Sequence, residues 1–361
     1  MDAASAHLAR LGAISRPTGS NAAADARAYC TSVLRQLGFT VTERPFEYSK
    51  FPGAWATPVA GLLVPAFATA IAFVHSAPRS FAVGLIGAVL LASAGFAYVG
   101  RAGVLDLRFM RARGVNLEAT RGDAPPTVWL IAHIDSKWQP VSMILRVLGV
   151  LTSGIGLVGL AILAAVRDAP PDPTVFGVLG FTCLGAIPLI LSYVGGRNHG
   201  TLDNASGVAA VLEAAEFLPS GSRVGVLITD AEELALAGAH AWARSRAAVA
   251  TPGIALNCDS IDDDGPLTVM YGSPVPHGVL SAVNGAARST GQPLRAIRLI
   301  PGVLTDHVAL AGAGWTTLTL SRGTLRTLQR IHTSRDTLET MRGTGIQGAA
   351  RVLVDTATEL S

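Results

Sequence analysis

Four uncharged apolar stretches, residues 54–74, 81–100, 147–166 and 174–196, constrain this chain more than any other feature. Each runs for about 20 residues, enough to cross roughly 30 Å of hydrocarbon as a helix. Short links rich in proline, Ser-Ala-Pro-Arg-Ser at 76–80 and Arg-Asp-Ala-Pro-Pro-Asp-Pro at 167–173, join them in pairs. The pattern predicts two transmembrane helical hairpins, 54–100 and 142–196, with four α spans in all. They interrupt one domain assembled from 1–50, 101–141 and 197–361. Composition agrees, because only 15% of the 361 residues are charged, against about 25% in a typical soluble domain. A very apolar soluble core is the plain alternative, but core helices seldom stay uncharged this long. The spans carry no charged side chain, which argues for anchoring in a lipid bilayer rather than for a transport path. Gly154-Ile-Gly-Leu-Val-Gly159 imitates a dinucleotide-binding loop. It sits inside a span with no strand before it, so it reads as close helix packing.

Outside the hairpins, hydrophobic periodicity alternates between strands and helices. Strands are predicted near 39–48, 115–120, 127–133, 223–229, 254–259, 266–271 and 315–320. Helices are predicted at 22–38, 205–217, 233–246, 275–288, 304–312 and 343–358. This order predicts an α/β domain: a mostly parallel mixed sheet flanked by helices.

Several of these runs end in a metal-type side chain. His133 and Asp135 close Thr-Val-Trp-Leu-Ile-Ala-His-Ile-Asp (127–135), and Asp259 closes Ile-Ala-Leu-Asn-Cys-Asp (254–259). Glu232 and Glu233 follow Val-Gly-Val-Leu-Ile-Thr-Asp (224–230). Asp203 lies in Gly-Thr-Leu-Asp-Asn-Ala-Ser-Gly (200–207), and His332 in Ile-His-Thr-Ser-Arg-Asp-Thr (331–337). Open α/β sheets bind ligands in the crevice beyond the carboxyl ends of their strands. Oxygen and imidazole donors without thiolates suit a hydrolytic zinc centre.

Each residue also has a bland reading. His133 and Asp135 form a surface pair at a strand end, Asp203 caps a helix, and Glu232-Glu233 is a solvated first helical turn. His332 taken alone is a loop histidine, and Asp262, Asp263 and Asp264 make a solvated turn. The ordered set outweighs these readings. Two adjacent acids behind an apolar strand repel each other and raise one pKa. A metal on one of them leaves the other to shuttle protons. Asp306, next to His307, offers support behind the ligands, and the sequon Asn204-Ala-Ser206 reads as a chance match.

If His133, Asp135 and Asp203 share one site they share one side of the membrane, and the two spans between them satisfy this. Lys50, Arg101, Arg108, Arg111, Arg113, Lys137, Arg146 and Arg197 gather on that side, while the hairpin tips carry only Arg79 and Arg167. The positive-inside rule therefore predicts a cytoplasmic catalytic domain. The scattered cysteines Cys30, Cys183 and Cys258 match no zinc or redox spacing and suit a reducing compartment. The first 50 residues hold no signal-peptide core. A net charge of +3, with no basic run interleaved with aromatics, excludes nucleic acid as a partner.

Taken together, His-x-Asp (133–135), Asp-Asn-x-Ser-Gly (203–207), Asp-x-Glu-Glu-Leu (230–234), Asp259, Asp-His (306–307) and Ile-His-Thr-x-x-Asp-Thr (331–337) resemble one family. It is the co-catalytic zinc aminopeptidases, with bacterial leucyl aminopeptidases, glutamate carboxypeptidase relatives and glutaminyl cyclases. The resemblance runs from about residue 15 to the end, hairpins excluded, and implies a zinc-exopeptidase-like fold. Carried across, it implies that Asp203 bridges two zinc ions (two per chain, or one as in cyclases). His133 and Asp259 would complete one position, Glu233 and His332 the other. Glu232 would be the general base, with Asp135 and Asp306 behind the ligands. The substrate implied is a peptide with a free N-terminus. The alternatives are a glutaminyl cyclase-like aminoacyltransferase and a non-catalytic membrane scaffold or receptor on the same fold, although the complete ligand set argues against the latter.

Overall fold

In a computed structural model, which describes residues 3–74, 107–166, 170–195, 198–247, 252–299 and 303–361, the apolar runs form the middle of an eight-stranded sheet. Its strands are β1 (Thr40–Ser49), β2 (Arg111–Thr120), β3 (Val128–His133), β4 (Val224–Thr229), β5 (Ile254–Ile261), β6 (Leu267–Tyr271), β7 (Leu294–Arg298) and β8 (Thr316–Arg322). Their spatial order is β1-β2-β4-β3-β5-β8-β6-β7. Four of the seven pairings are parallel, namely β4–β3, β3–β5, β5–β8 and β6–β7, as the expected mixed sheet requires. The central parallel block brings the carboxyl ends of β4, β3 and β5 to one edge, with His133 paired to Thr229.

The chain divides into two compact units: Met1–Lys50 with Arg101–Trp138 and Gly195–Ser361, and Phe51–Gly100 with Gln139–Val194. In the first, the helices are α1 (Ala3–Leu11) and α2 (Asn21–Gln36). In the second they are α3 (Ala56–Ala72), α4 (Met143–Val166) and α5 (Pro173–Ile190). The first unit continues with α6 (Ser206–Phe217), α7 (Ala237–Ala247), α8 (His277–Ser289), α9 (Asp306–Gly312), α10 (Leu325–Arg330) and α11 (Ile346–Leu360).

Burial on β3 follows the two-residue period of a strand. Val128, Leu130 and Ala132 join the core formed with α1, α2, α6, α8 and α11. Trp129 and Ile131 face the opposite core, where Trp242 of α7 and Val308 and Leu310 of α9 pack. Trp129 stacks edge-on against Trp242 at 4.9 Å between centroids.

β7, α1 and α10 are among the elements that escape the sequence reading. β7 is an edge strand that pairs only with β6 and exposes most of its residues, so no alternation marks it. α1 and α10 have nine and six residues, too short for a clear helical period. Helix α7 starts at Ala237 rather than 233, because Ala235 and Leu236 adopt φ of 72° and 57°. The Glu232-Glu233 pair therefore sits in a loop and not in a helical turn.

Both points where the first unit's chain leaves for the second lie between residues that are already paired. Ser49 is opposite Arg111 at the end of the β1–β2 ladder. Trp138 and Gly195 exchange backbone hydrogen bonds of 3.3 and 2.8 Å.

In the second unit, α4 and α5 are long and apolar enough to cross a membrane. Among the described residues, these are the two of the four predicted spans that meet the length. The first forms α3, only 17 residues, and 81–100 lies outside the described residues. The last ends at Ile190, six residues short of the predicted boundary. Packing here is inverted relative to a water-soluble core. Gly149, Ser153 and Gly156 of α4 are buried, as are Thr182, Gly185 and Ala186 of α5, while Leu151, Ile155, Ile162 and Leu184 are 54–66% exposed.

Candidate metal centre

The carboxyl-end edge of the central strands collects the predicted site. His133, Asp135, Asp203, Glu232, Glu233, Asp259, Asp306 and His332 are all buried. His133 ends β3, Glu232 and Glu233 follow β4, and Asp259 lies where the β5–β8 register shifts between Cys258 and Ile261. Asp203 occupies an irregular turn with non-helical φ/ψ immediately before α6, and its side chain caps no helix.

Asp203 is the hinge of the geometry. One of its oxygens, Oδ1, stands 3.1 Å from His133 Nε2, and the other, Oδ2, stands 3.0 Å from His332 Nε2. His133 Nε2 also lies 3.8 Å from Asp259 Oδ1 and 3.8 Å from Glu232 Oε2. His332 Nε2 lies 3.0 Å from Glu233 Oε2. Two groups of donors result, His133–Asp203–Asp259 and Asp203–Glu233–His332, each with ligand atoms within 4.8 Å of one another.

The donors suit a pair of hard or borderline cations. Four carboxylates, Asp203, Glu232, Glu233 and Asp259, face two imidazoles in a buried space, which is costly without compensating charge. His133 Nε2, Glu233 Oε1 and Asp306 Oδ1 are buried yet find no hydrogen-bond partner among the described residues. Buried polar atoms are normally satisfied, so these three are what an ion-binding cleft would leave. Backbone strain clusters here too: Ala231, Ser260 and His332 hold φ of 57°, 58° and 64°, and such outliers gather at functional sites.

Asp135 organises the cleft from behind. Its backbone carbonyl lies 3.1 Å from His133 Nδ1, which leaves Nε2 facing the acids. Its Oδ1 accepts from the Glu232 N–H and its Oδ2 from the Glu233 N–H, at 3.1 and 3.3 Å. The Thr18 hydroxyl donates to Oδ2 at 3.1 Å. Asp306 accepts from Thr229 Oγ1.

Burial pushes the Glu232 carboxyl well above its ordinary range, and the neighbouring Glu233, Asp259 and Asp306 carboxylates add to this against the pull of His133. Burial would also raise Glu233, but His332 and Lys137 hold it down to about 2. The pair thus splits as adjacent acids should. Burial raises Asp306 to about 7. His133 is raised well above its usual value despite burial, through Glu232 and the aspartates around it.

Some participants were not singled out from the sequence. Lys137 Nζ is 2.8 Å from Glu233 Oε2, and only its place in the stretch 133–137 hinted at it. Asp336, inside the 331–337 motif, accepts from the Leu202 and Asp203 N–H groups. Arg16 is buried and donates to the Ile134, His199 and Gly200 carbonyls, tying the loops beneath the site. Asp262 is buried rather than solvated, because Thr327 and Arg330 bind its two oxygens. Asn204 is fully buried, so the sequon is closed to glycosylation.

Residues 184–357 match peptidase family M28. The matched stretch holds Asp203, Glu232, Glu233, Asp259, Asp306 and His332, while His133 and Asp135 precede it. The fold is similar to that of an aminopeptidase from Aneurinibacillus sp. strain AM-1, at TM-score 0.58 and 13% identity over 99% of this chain and 94% of that one. A leucine aminopeptidase precursor from Bacteroides thetaiotaomicron gives 0.58 and 13%, over 100% and 98%. A Bacteroides thetaiotaomicron glutaminyl cyclase bound to N-acetylhistamine gives 0.59 and 13%, over 100% and 98%. No curated protein matches the chain in sequence. The M28 match bears out the resemblance drawn from the motif order and supports a peptidase-type hydrolase, and the shared fold agrees with it.

Proposed function

We propose that this M28-type chain is a membrane-anchored, zinc-dependent aminopeptidase that hydrolyses N-terminal peptide bonds with Glu232 as general base. The observation that carries the proposal is the Asp203 carboxylate, whose two oxygens face two different histidines at 3.1 and 3.0 Å. His133, Asp203 and Asp259 would hold one zinc, and Asp203, Glu233 and His332 the other. Bound there, the ions would acidify the attacking water and polarise the scissile carbonyl. Glu232 lies in neither donor group and keeps its carboxyl for proton transfer. It takes the water's proton and returns it to the leaving amine. Asp135 fixes both ends of this arrangement, orienting His133 and pinning the Glu232-Glu233 backbone.

Anchoring rests on the apolar helices of the second unit. Large side chains exposed along α4 and α5 are covered by lipid in this reading, and small residues between the helices allow close approach. The four uncharged apolar stretches favour four spans, and the cationic side chains flanking them favour a cytoplasmic catalytic domain.

A glutaminyl cyclase activity is the second reading, supported by the cyclases among the structural neighbours. Zinc content and a panel of aminoacyl-anilides, tested on detergent-purified protein beside N-terminal glutamine peptides, separate the two. Chelator-sensitive release from leucine-type substrates is expected. Pyroglutamate formation without hydrolysis would favour the cyclase, and zinc-free protein inert towards both would refute the enzymatic reading.

A further inference from the structure

We propose that the two ion positions flanking Asp203 are staked separately, the first by the Asn204 carboxamide and the second by the Asp336 carboxylate. This rests on the reading that the centre holds a metal pair. Asp203 lies in a turn with no strand ladder of its own, so its carboxylate bridges only if the turn is fixed against two other elements.

Asn204 ties the turn to β5. Its Nδ2 donates to the Cys258 carbonyl at 3.0 Å, and its Oδ1 accepts from the Ser260 N–H at 3.1 Å and the Gly207 N–H at 2.9 Å. Cys258 and Ser260 are the two residues flanking Asp259. The register shift of β5 against β8 leaves Asp259 and Ser260, between the paired Cys258 and Ile261, out of the β5–β8 ladder. Ser206 completes the tie, its hydroxyl donating to the Leu202 carbonyl at 2.6 Å and accepting from the Ile261 N–H at 2.8 Å. The approach is tight: a Cβ at Gly207 would meet Asn204 Oδ1 at 2.1 Å and the Cys258 carbonyl at 2.4 Å. These bonds set the spacing of Asp203 and Asp259.

Asp336 ties the same turn to the opposite element. Its Oδ1 accepts from the Leu202 N–H at 2.6 Å and its Oδ2 from the Asp203 N–H at 3.1 Å. It lies four residues beyond His332, in a turn closed by its own N–H on the Thr333 carbonyl. These bonds set the spacing of Asp203 and His332. Asn204 and Asp336 are positioning residues, and each is the control for the other.

The test is a cobalt(II) titration of the full-length protein in detergent, followed by calorimetry and visible absorption. His133→Gln and His332→Gln supply the spectra of a single surviving position. Asn204→Asp keeps the shape but sets a carboxylate oxygen against the Cys258 carbonyl. Asp336→Asn replaces one acceptor oxygen with an NH2 donor, which faces a backbone N–H and cannot accept from it. Asn204→Asp should lose about 10- to 100-fold in affinity at one position, and its remaining spectrum should match His133→Gln. Asp336→Asn should show the complementary loss and match His332→Gln. Should Asn204→Asp fail to fold, Asn204→Ser, too short to reach β5, carries the same expectation. Equal loss of both ions in either variant, or both retained within about threefold, overturns the inference. A wild-type protein that binds no cobalt at all refutes the metal-centre reading itself, a result distinct from the loss of selectivity.

Discussion

Replacing Glu232 with Gln tests the division of labour between the adjacent acids. The side chain keeps its size but can no longer take a proton, and general-base catalysis contributes about 10²- to 10⁴-fold. At 1.36 kcal/mol per decade, kcat should therefore fall by about 2.7–5.4 kcal/mol of barrier. Zinc should stay bound, because neither three-residue donor group includes Glu232. The same change should stabilise the metal-free fold. The folded pKa of Glu232 is raised by burial and by Glu233, Asp259 and Asp306. Its contribution to stability is thus present below 4.5 and lost as pH rises through the raised value. Gln removes that loss, so the variant's melting advantage should widen between pH 5 and pH 8. Aminoacyl-anilide kinetics, zinc content and melting curves at the two pH values measure all three effects. A zinc-loaded variant with kcat within tenfold of wild type would refute the assignment of Glu232 as the base.

Other outcomes follow from the same geometry. Lys137→Met breaks a buried pair whose side chains are 11% and 4% exposed, and urea unfolding of the metal-free protein should show a loss of about 3 kcal/mol, reduced when zinc is added. In the apolar unit, Gly156→Val places a Cβ 2.0 Å from Thr182 Oγ1, whereas Gly154→Val meets open space; the first should lower the thermal midpoint in detergent and the second should not. Burial pushes the Cys30 thiol to about 12 and raises Cys258 as well, so native protein should take up at most one maleimide, at Cys183, and denatured protein three.

The central strands and the site were legible because both depend on local chemistry. β3 and β4 are buried on both faces and read as unbroken apolar runs, and the acids that end them stand where a parallel sheet opens. What escaped depends on distant partners. Asp336 reads as a loop aspartate until the turn at 202–203 is folded against it. Lys137 reads as a membrane-flanking cation until Glu233 arrives 96 residues later in sequence. The helix expected from residue 233 begins only at Ala237 because the two residues before it take left-handed φ, which the propensities of Ala235 and Leu236 do not announce.

The pairing at 49–111 and at 138–195 has a consequence for how such a chain can be re-engineered. Antiparallel partners of this kind stand about 5.5 Å apart at Cα, a gap that a two-residue turn spans. Everything between them can therefore be exchanged for a tight loop while each β-rung of the eight-stranded sheet keeps its partner. The apolar unit in this architecture is a detachable cassette spliced into closed rungs.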